Sequence, residues 1–573
     1  MKKIKSFLIL LLLLTGTFSC KKDFLDEKPL DFLSAGNAFQ TASDFQASVN
    51  NLYRLVRAEL YTLNDNDPME YIYRTDIAYN ITAASPANLV GEIAPNSSIV
   101  FNHFTALYKI VAEANTVIGR IPASQLSDAD KKLFEARGRF FRAFAYRCLA
   151  YIWGGVPLEL NEVTAPKIDY TRATRKEVYT QVIADLTFAA ANLPSITSTT
   201  IKDGEVSSQA ANHLLAEVYL ADSQFANAIT AANAVINTPG MALMTNRFGT
   251  RKTEVPGDVY WDLFRKGNQN RKNGSGNTES IWVIQIEADV PGGAATTATS
   301  FASGDGFSME RVHVPLTRDL TTPNGAVNVA AILWPASDYS SGGRGVGFLV
   351  PSKYFIENVY DVGDIRNANH NFVRRFKVTN PANPLYNTEI DFANLPAGTK
   401  GTSGANLTSG VPSRALYPYQ TKATEPGNHP ANLYALPAAY PNALKGGAGF
   451  TYQDQYMFRL AETYLLRAEA ELGAGSPGLA ANDINVVRAR SNAAPVASGN
   501  VTIDYILDER IRELGIEEKR LFTLMRLGKW YDRIILCNPF YASSALPKYN
   551  LWPIPQREIE RNRGAVLAQN PGY

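Results

Sequence analysis

The sequence predicts a mostly α chain, a tetratricopeptide-like helical-repeat scaffold interrupted by an irregular, loop-rich subdomain with short strands. Three observations carry this. Apolar residues recur at helical spacing from Ala42 to about Ile236. Two distant segments share one spacing of small residues. Between them, from Thr238 to about Phe450, Gly, Asn, Pro, Thr and Ser dominate and the helical period disappears.

Along the first helical stretch, turn signals such as Gly154-Gly155-Val156-Pro157 and Leu193-Pro194 divide helix from helix. Within one helix Phe140, Phe141, Phe144, Ala145 and Cys148 form an apolar stripe that must face neighbouring helices. The repeat appears on aligning small residues. Ala216 is followed by Tyr219, Phe225, Ala228 and Val235, and Ala468 by Ala480, Ile484 and Val487. In both, the alanines stand twelve residues apart and an apolar residue follows seven later. Antiparallel helices cross closely only where small residues permit it, which is what this spacing supplies. Glu471 departs from the pattern where Tyr219 matches it. Ala143 with Tyr146 begins a third repeat, separated by a long insertion from a partner helix around Val178 to Ala191. The middle region offers short strand-like stretches such as Ile281-Trp282-Val283-Ile284-Gln285-Ile286. Helix is expected to resume at Tyr456 and to end near Leu536. The expected division is residues 1–19 leader, 20–41 anchor and tether, 42–237 scaffold, 238–450 inserted ligand-face subdomain, and 451–573 scaffold completion and tail.

Lys2, Lys3 and Lys5 precede Phe7-Leu8-Ile9 and the run Leu10 to Leu14, which reads as a signal peptide. The apolar stretch is shorter than the about 20 residues a bilayer span needs, and no later stretch approaches that length. A membrane-anchoring or buried helix is the alternative reading. The run leads into Thr15-Gly16-Thr17-Phe18-Ser19-Cys20, similar to a lipoprotein processing site, although Thr17 and Phe18 depart from the usual Leu-Ala-Gly type pattern. Cys20 is then the lipid attachment site, and several acyl chains on it would anchor stably. Cys148 and Cys537 lack CxxC or metal-ligand spacing and read as buried thiols, with a disulfide also open.

Hydrophobic residues make up 45% and charged residues 19% of the 573, an ordinary globular composition. The formal net charge of +2 is smaller than the contribution of the three leader lysines alone. No electrostatic pull toward nucleic acid follows.

Several ordered motifs together resemble the SusD/RagB-like outer-membrane lipoproteins over nearly the whole chain. They begin with Phe24-Leu25-Asp26-Glu27-Lys28-Pro29, then Ala136-Arg137-Gly138-Arg139-Phe140-Phe141-Arg142-Ala143 and Trp153-Gly154-Gly155-Val156-Pro157-Leu158. Further on stand Arg459-Leu460-Ala461-Glu462-Thr463-Tyr464-Leu465-Leu466-Arg467-Ala468-Glu469-Ala470, Ile484 to Arg490, and Glu509-Arg510 with Glu513, Arg520 and Arg526. The chain closes on Leu551-Trp552-Pro553-Ile554-Pro555 and Gln569-Asn570-Pro571-Gly572-Tyr573. The resemblance implies capture of a glycan, or of a peptide, at the cell surface. It also implies delivery to a SusC-like TonB-dependent outer-membrane transporter, for which the protein is the lid. The alternatives are a tetratricopeptide-type protein-assembly platform and a glycan hydrolase. Arg488, Arg490, Arg510 and Arg526 share helices with Glu509, Glu513, Glu517 and Glu518, so ion pairing accounts for them.

No HExxH, GxSxG or Walker loop is present, so no catalytic residue is assigned and no enzyme is expected. The five histidines are scattered, so no metal and no cofactor is called for. The Gly342-Gly343-Arg344-Gly345-Val346-Gly347 run reads as a loop. Sugars are held by aromatic faces and a few hydrogen-bonding groups. The resemblance places the ligand face in the loop after the first scaffold helix and in loops of the insertion. The first contains Tyr71, Tyr73, Asp76, Tyr79 and Asn80; the second contains Trp261, Trp334, Tyr339 and Arg344. Trp153, Trp282, Trp530 and Trp552 are expected in the core.

Overall fold

The computed structural model describes residues 39–62, 67–82, 89–290, 293–297, 306–332, 343–425, 427–435, 444–445 and 448–573. Cys20, Trp334 and Tyr339 lie outside the described residues. The first helices are α1 (Ala42–Leu60), α2 (Ser98–Arg120), α3 (Asp128–Trp153), α4 (Arg175–Asn192), α5 (Ser208–Ala221) and α6 (Phe225–Ile236). After a long irregular stretch come α7 (Leu460–Gly473), α8 (Pro477–Arg490), α9 (Ile503–Glu513), α10 (Arg520–Arg526) and α11 (Trp530–Cys537). No helix among the described residues is long and apolar enough to cross a membrane.

Local chemistry sets the helix ends. Thr41 and Thr174 open α1 and α4 with capping boxes, their hydroxyls accepting from the Asp44 and Glu177 N–H groups. Gly154 ends α3 at φ +77°, and a side chain on Gly155 would lie 2.3 Å from the Ala173 carbonyl. The Gly-Gly pair of the Trp153 motif is therefore a helix stop followed by a close chain crossing.

The repeat spacing maps onto helical hairpins, α5 on α6, α7 on α8, and α3 on α4. α7 also packs on α6, with Leu220, Ala228, Leu466 and Ala470 at the contact, so the scaffold continues across the insertion. α3 carries more than the expected stripe, because it is buried on every side from Phe140 to Trp153. Its arginines accordingly find carboxylates, Arg142 donating to both oxygens of Asp185 at 2.8 Å and Arg147 to Glu217 at 2.7 Å.

Strands pair two by two among the described residues: β1 (Ala78–Asn80) with β5 (Leu349–Pro351), β2 (Ser280–Ile284) with β10 (Gln455–Arg459), and β3 (Thr321–Asn324) with β4 (Val327–Ala330). The other two pairs are β6 (Phe372–Val373) with β9 (Tyr419–Gln420), and β7 (Arg375–Lys377) with β8 (Glu389–Asp391). Helix does not resume at Tyr456, as the sequence led us to expect. That residue faces Val283 across the β2–β10 ladder, and α7 starts at Leu460. The ladder claims Gln455–Arg459 before the helix can, and joins the start of the insertion to its end.

Buried ions bind the insertion to the scaffold. Arg366 reaches Asp364, Glu509 and Glu513; Arg459 reaches Glu279, Glu513 and Glu517; Arg488 and Arg490 bond Glu509 and Glu513. Ion pairing thus accounts for these arginines. The tail after α11 is ordered on α3. Trp552 N–H donates to the Ile152 carbonyl at 2.8 Å, and the Asn570 amide donates to the Trp153 and Trp552 carbonyls. Trp153, Trp282, Trp530 and Trp552 are core residues. Cys148 and Cys537 are free and buried, their thiols pushed up to about 11 and about 12 by burial.

Candidate ligand-binding face

The loop after α1 meets the insertion through the β1–β5 ladder. On β1, Tyr79 faces Val350 of β5, and its ring stacks on Phe540 with centroids 4.3 Å apart. Burial pushes the Tyr79 phenol up to about 12, so it stays a neutral donor. The Asn80 N–H donates to the Tyr541 hydroxyl at 3.2 Å, and its side-chain oxygen accepts from the Thr82 N–H and hydroxyl. Asn80 therefore shapes the turn that leads into residues 83–88.

The strand β5 ties this ladder to the short helix Met309–His313. Phe348 N–H donates to the Val312 carbonyl and Val346 N–H to the Arg311 carbonyl, both at 2.8 Å. The glycine-rich run is laid flat against that helix, and Gly343 permits it: a Cβ there would lie 1.8 Å from Glu310 Oε1. Arg344 sits half-buried in this run. Glu310 itself is the hub of a buried polar cluster. Its carboxylate accepts from the Thr424 hydroxyl at 2.6 Å, and His429 Nε2 stands 2.8 and 3.0 Å from its two oxygens. The His429 N–H donates to the Tyr434 hydroxyl at 2.9 Å, and the Asn432 amide donates to the Thr296 hydroxyl at 2.6 Å. His313 ties β9 to β5. The Gln420 N–H donates to its Nε2 while Nδ1 faces the Leu349 carbonyl, and burial lowers the imidazole to about 4, so it stays neutral. Residues 83–88, 298–305, 333–342 and 436–443 each follow or precede one of these anchored stretches.

The structure leaves Tyr79, Asn80 and Arg344 partly exposed and buries other expected ligand residues. Tyr71, Tyr73 and Asp76 have no solvent exposure. Tyr71 packs on Phe522 and His103, its hydroxyl donating to Glu59, and Asp76 is paired with Arg520 and Arg533. Packing and charge compensation consume these side chains, a correction to their expected ligand role. Trp261 is 3% exposed, with the guanidinium groups of Arg265, Arg251 and Arg247 at 4.5, 4.9 and 5.9 Å from its ring centre. A stacking sugar would find its faces already covered. Glu310, Thr424, His429 and Tyr434 went unnoticed in the sequence, where nothing marks residues so far apart. Among the described residues no cluster of His, Cys, Asp and Glu could hold a metal ion.

Comparison with known proteins decides the family. Residues 23–220 match a family described as starch-binding and associating with the outer membrane. Residues 278–573, more than half of the chain, match the SusD family model. The chain belongs to the SusD family. A SusD-like protein of Formosa agariphila is 26% identical with both chains fully covered. The starch-binding protein SusD of Bacteroides thetaiotaomicron is 37% identical over 22% of each chain. Among solved structures, a laminarin-binding SusD-like protein superposes with a TM-score of 0.64 at 22% identity, covering 93% of this chain and 100% of its own. A surface glycan-binding protein of Bacteroides thetaiotaomicron, solved with laminarihexaose, gives 0.64 at 20% identity, covering 92% of this chain and 99% of its own. These likenesses show that the split helical scaffold is the SusD fold.

Proposed function

We propose that this SusD-family chain is a cell-surface glycan-binding lipoprotein, anchored through Cys20, that hands ligand to a TonB-dependent outer-membrane transporter and closes over it as a lid. The observation that carries the reading is the likeness over 93% of the chain to a protein named for laminarin binding, supported by a shorter match, over 22% of the chain, to one named for starch binding. Tyr79, Asn80 and Arg344 border the ligand face, and Trp334 and Tyr339 belong to the segment between Ile332 and Gly343, where a rigid indole beside Pro335 would be a stacking platform. Residues 42–237 and 451–573 serve as scaffold and 238–450 as the ligand-face subdomain. Binding is favoured over hydrolysis because Glu310, the carboxylate beside the glycine-rich run, is 1% exposed and held by Thr424 and His429.

Purification of the tagged chain from outer membranes tests anchoring and partner together. The native chain is expected to carry radiolabelled fatty acid and to bring down a barrel transporter, and Cys20→Ala to lose the label and leave the membrane fraction. Unchanged labelling in Cys20→Ala removes the anchor, and a pull-down containing no transporter removes the lid role.

A further inference from the structure

A concavity lies between α2, residues 157–170 and the C-terminal tail. It is a cleft of about 330 Å³, floored by Phe104, Tyr108 and Val111 of α2, walled by Val163 and Tyr170, and closed by Leu567. Most of its polar groups are already engaged, the Thr105 hydroxyl excepted. The Tyr108 hydroxyl donates to the Pro157 carbonyl at 2.6 Å, the Asn115 amide donates to the Glu159 and Asn161 carbonyls, and Lys167 Nζ donates to Glu159 at 2.6 Å. A sugar entering here would leave most of its hydroxyls unmet, whereas apolar side chains would bury at less cost. Val163, Ile168 and Val566, exposed by 49, 53 and 85%, are apolar residues of the same segments. Such a patch asks for a cover.

The chain supplies one. Residues 23–33 hold Phe24, Leu25, Leu30, Phe32 and Leu33, far more apolar surface than a solvated tether carries. The described chain starts close by, because the Gln125 N–H donates to the Gln40 carbonyl. Gln125 follows the end of α2 by five residues, and Arg120 at that end bonds Glu162, the neighbour of Val163. From Arg120 back to Asn115, at the near end of the cleft, the helix rises about 8 Å. The six residues from 33 to 39 span up to about 20 Å when extended.

We propose that residues 23–33 dock in this cleft, laying their apolar side chains on Phe104, Tyr108 and Tyr170. The tether is then a seated strap, and a body anchored at Cys20 is held with this cleft toward the membrane. That orientation rests on the anchoring reading; the docking does not, and it is testable without the lipid. In the soluble Cys20→Ser chain, Phe32→Cys is combined with Val163→Cys and compared with Phe32→Cys plus Val362→Cys. Val362 is fully exposed beside the Asp361–Arg488 pair and samples unguided collisions. Cys148 and Cys537 are buried and stay silent. Under mild oxidation the disulfide to position 163 is expected to form within one chain at least tenfold faster than that to position 362, since docking raises the local concentration. Ile168→Cys in place of Val163→Cys repeats the comparison should the first pair disturb the fold. Equal rates at both positions, or disulfides joining two chains, overturn the proposal.

Discussion

Glu513→Ala is expected to lower stability by about 3–5 kcal/mol, the cost of stripping the partner from buried charges. Glu513 has no exposure and accepts from Arg459, Arg490 and Arg366, so its removal takes a shared partner from three buried guanidinium groups. Burial alone would raise its pKa, but the three arginines overcome burial and hold the carboxyl far below its usual range. Arg366 belongs to the insertion, and Arg459 and Arg490 to the strand and helix that resume the scaffold. The loss should therefore loosen one part from the other. Urea unfolding and limited proteolysis check this together, with cleavage between 280 and 450 expected to appear first. A loss under about 1 kcal/mol would show that Glu279, Glu509 and Glu517 suffice without it.

Asp76→Ala is expected to cost a similar amount, because Asp76 neutralises Arg520 at 2.7 Å and Arg533 at 2.9 Å from within the loop after α1. Burial pushes its carboxyl up, and the two arginines bring it down to about 2; Glu509 is likewise held at about 2 against burial by Arg366, Arg512 and Arg488. Both folded values lie below the unfolded ones of 3.8 and 4.5. The stability these groups add is complete above the unfolded values and is lost as pH falls through the folded ones. The melting temperature should hold near neutrality and drop steeply from about pH 4.5 toward 2. Asp76→Asn should shallow that drop. An unchanged acid limb in Asp76→Asn would remove Asp76 from the account of acid sensitivity.

The scaffold was legible because two physical requirements write themselves locally. Helices need a 3.6-residue apolar period, and helix crossings need small residues, so Ala216 with Ala228 and Ala468 with Ala480 revealed hairpins that the structure contains. Partners distant in sequence leave no such trace. The polar and aromatic residues from Tyr71 to Asp76 resemble a ligand loop, and nothing nearby announces that Arg520 and Arg533 wait to pair with Asp76. Glu310 and His429, 119 residues apart, are the same case within the insertion. Tyr456 was misread because β10 runs into α7 without a breaker, and only its partner Val283 settles its state.

The most direct measurement is calorimetric titration of the soluble Cys20→Ser chain with starch and laminarin oligosaccharides and then with a broad glycan and peptide array. Saturable binding to at least one glycan is expected. Trp334→Ala should weaken it by about 1–3 kcal/mol, tenfold to a hundredfold, without moving the thermal midpoint. No ligand across the array, together with stable capture of a protein other than a transporter, would contradict the account and leave the scaffold as an assembly platform.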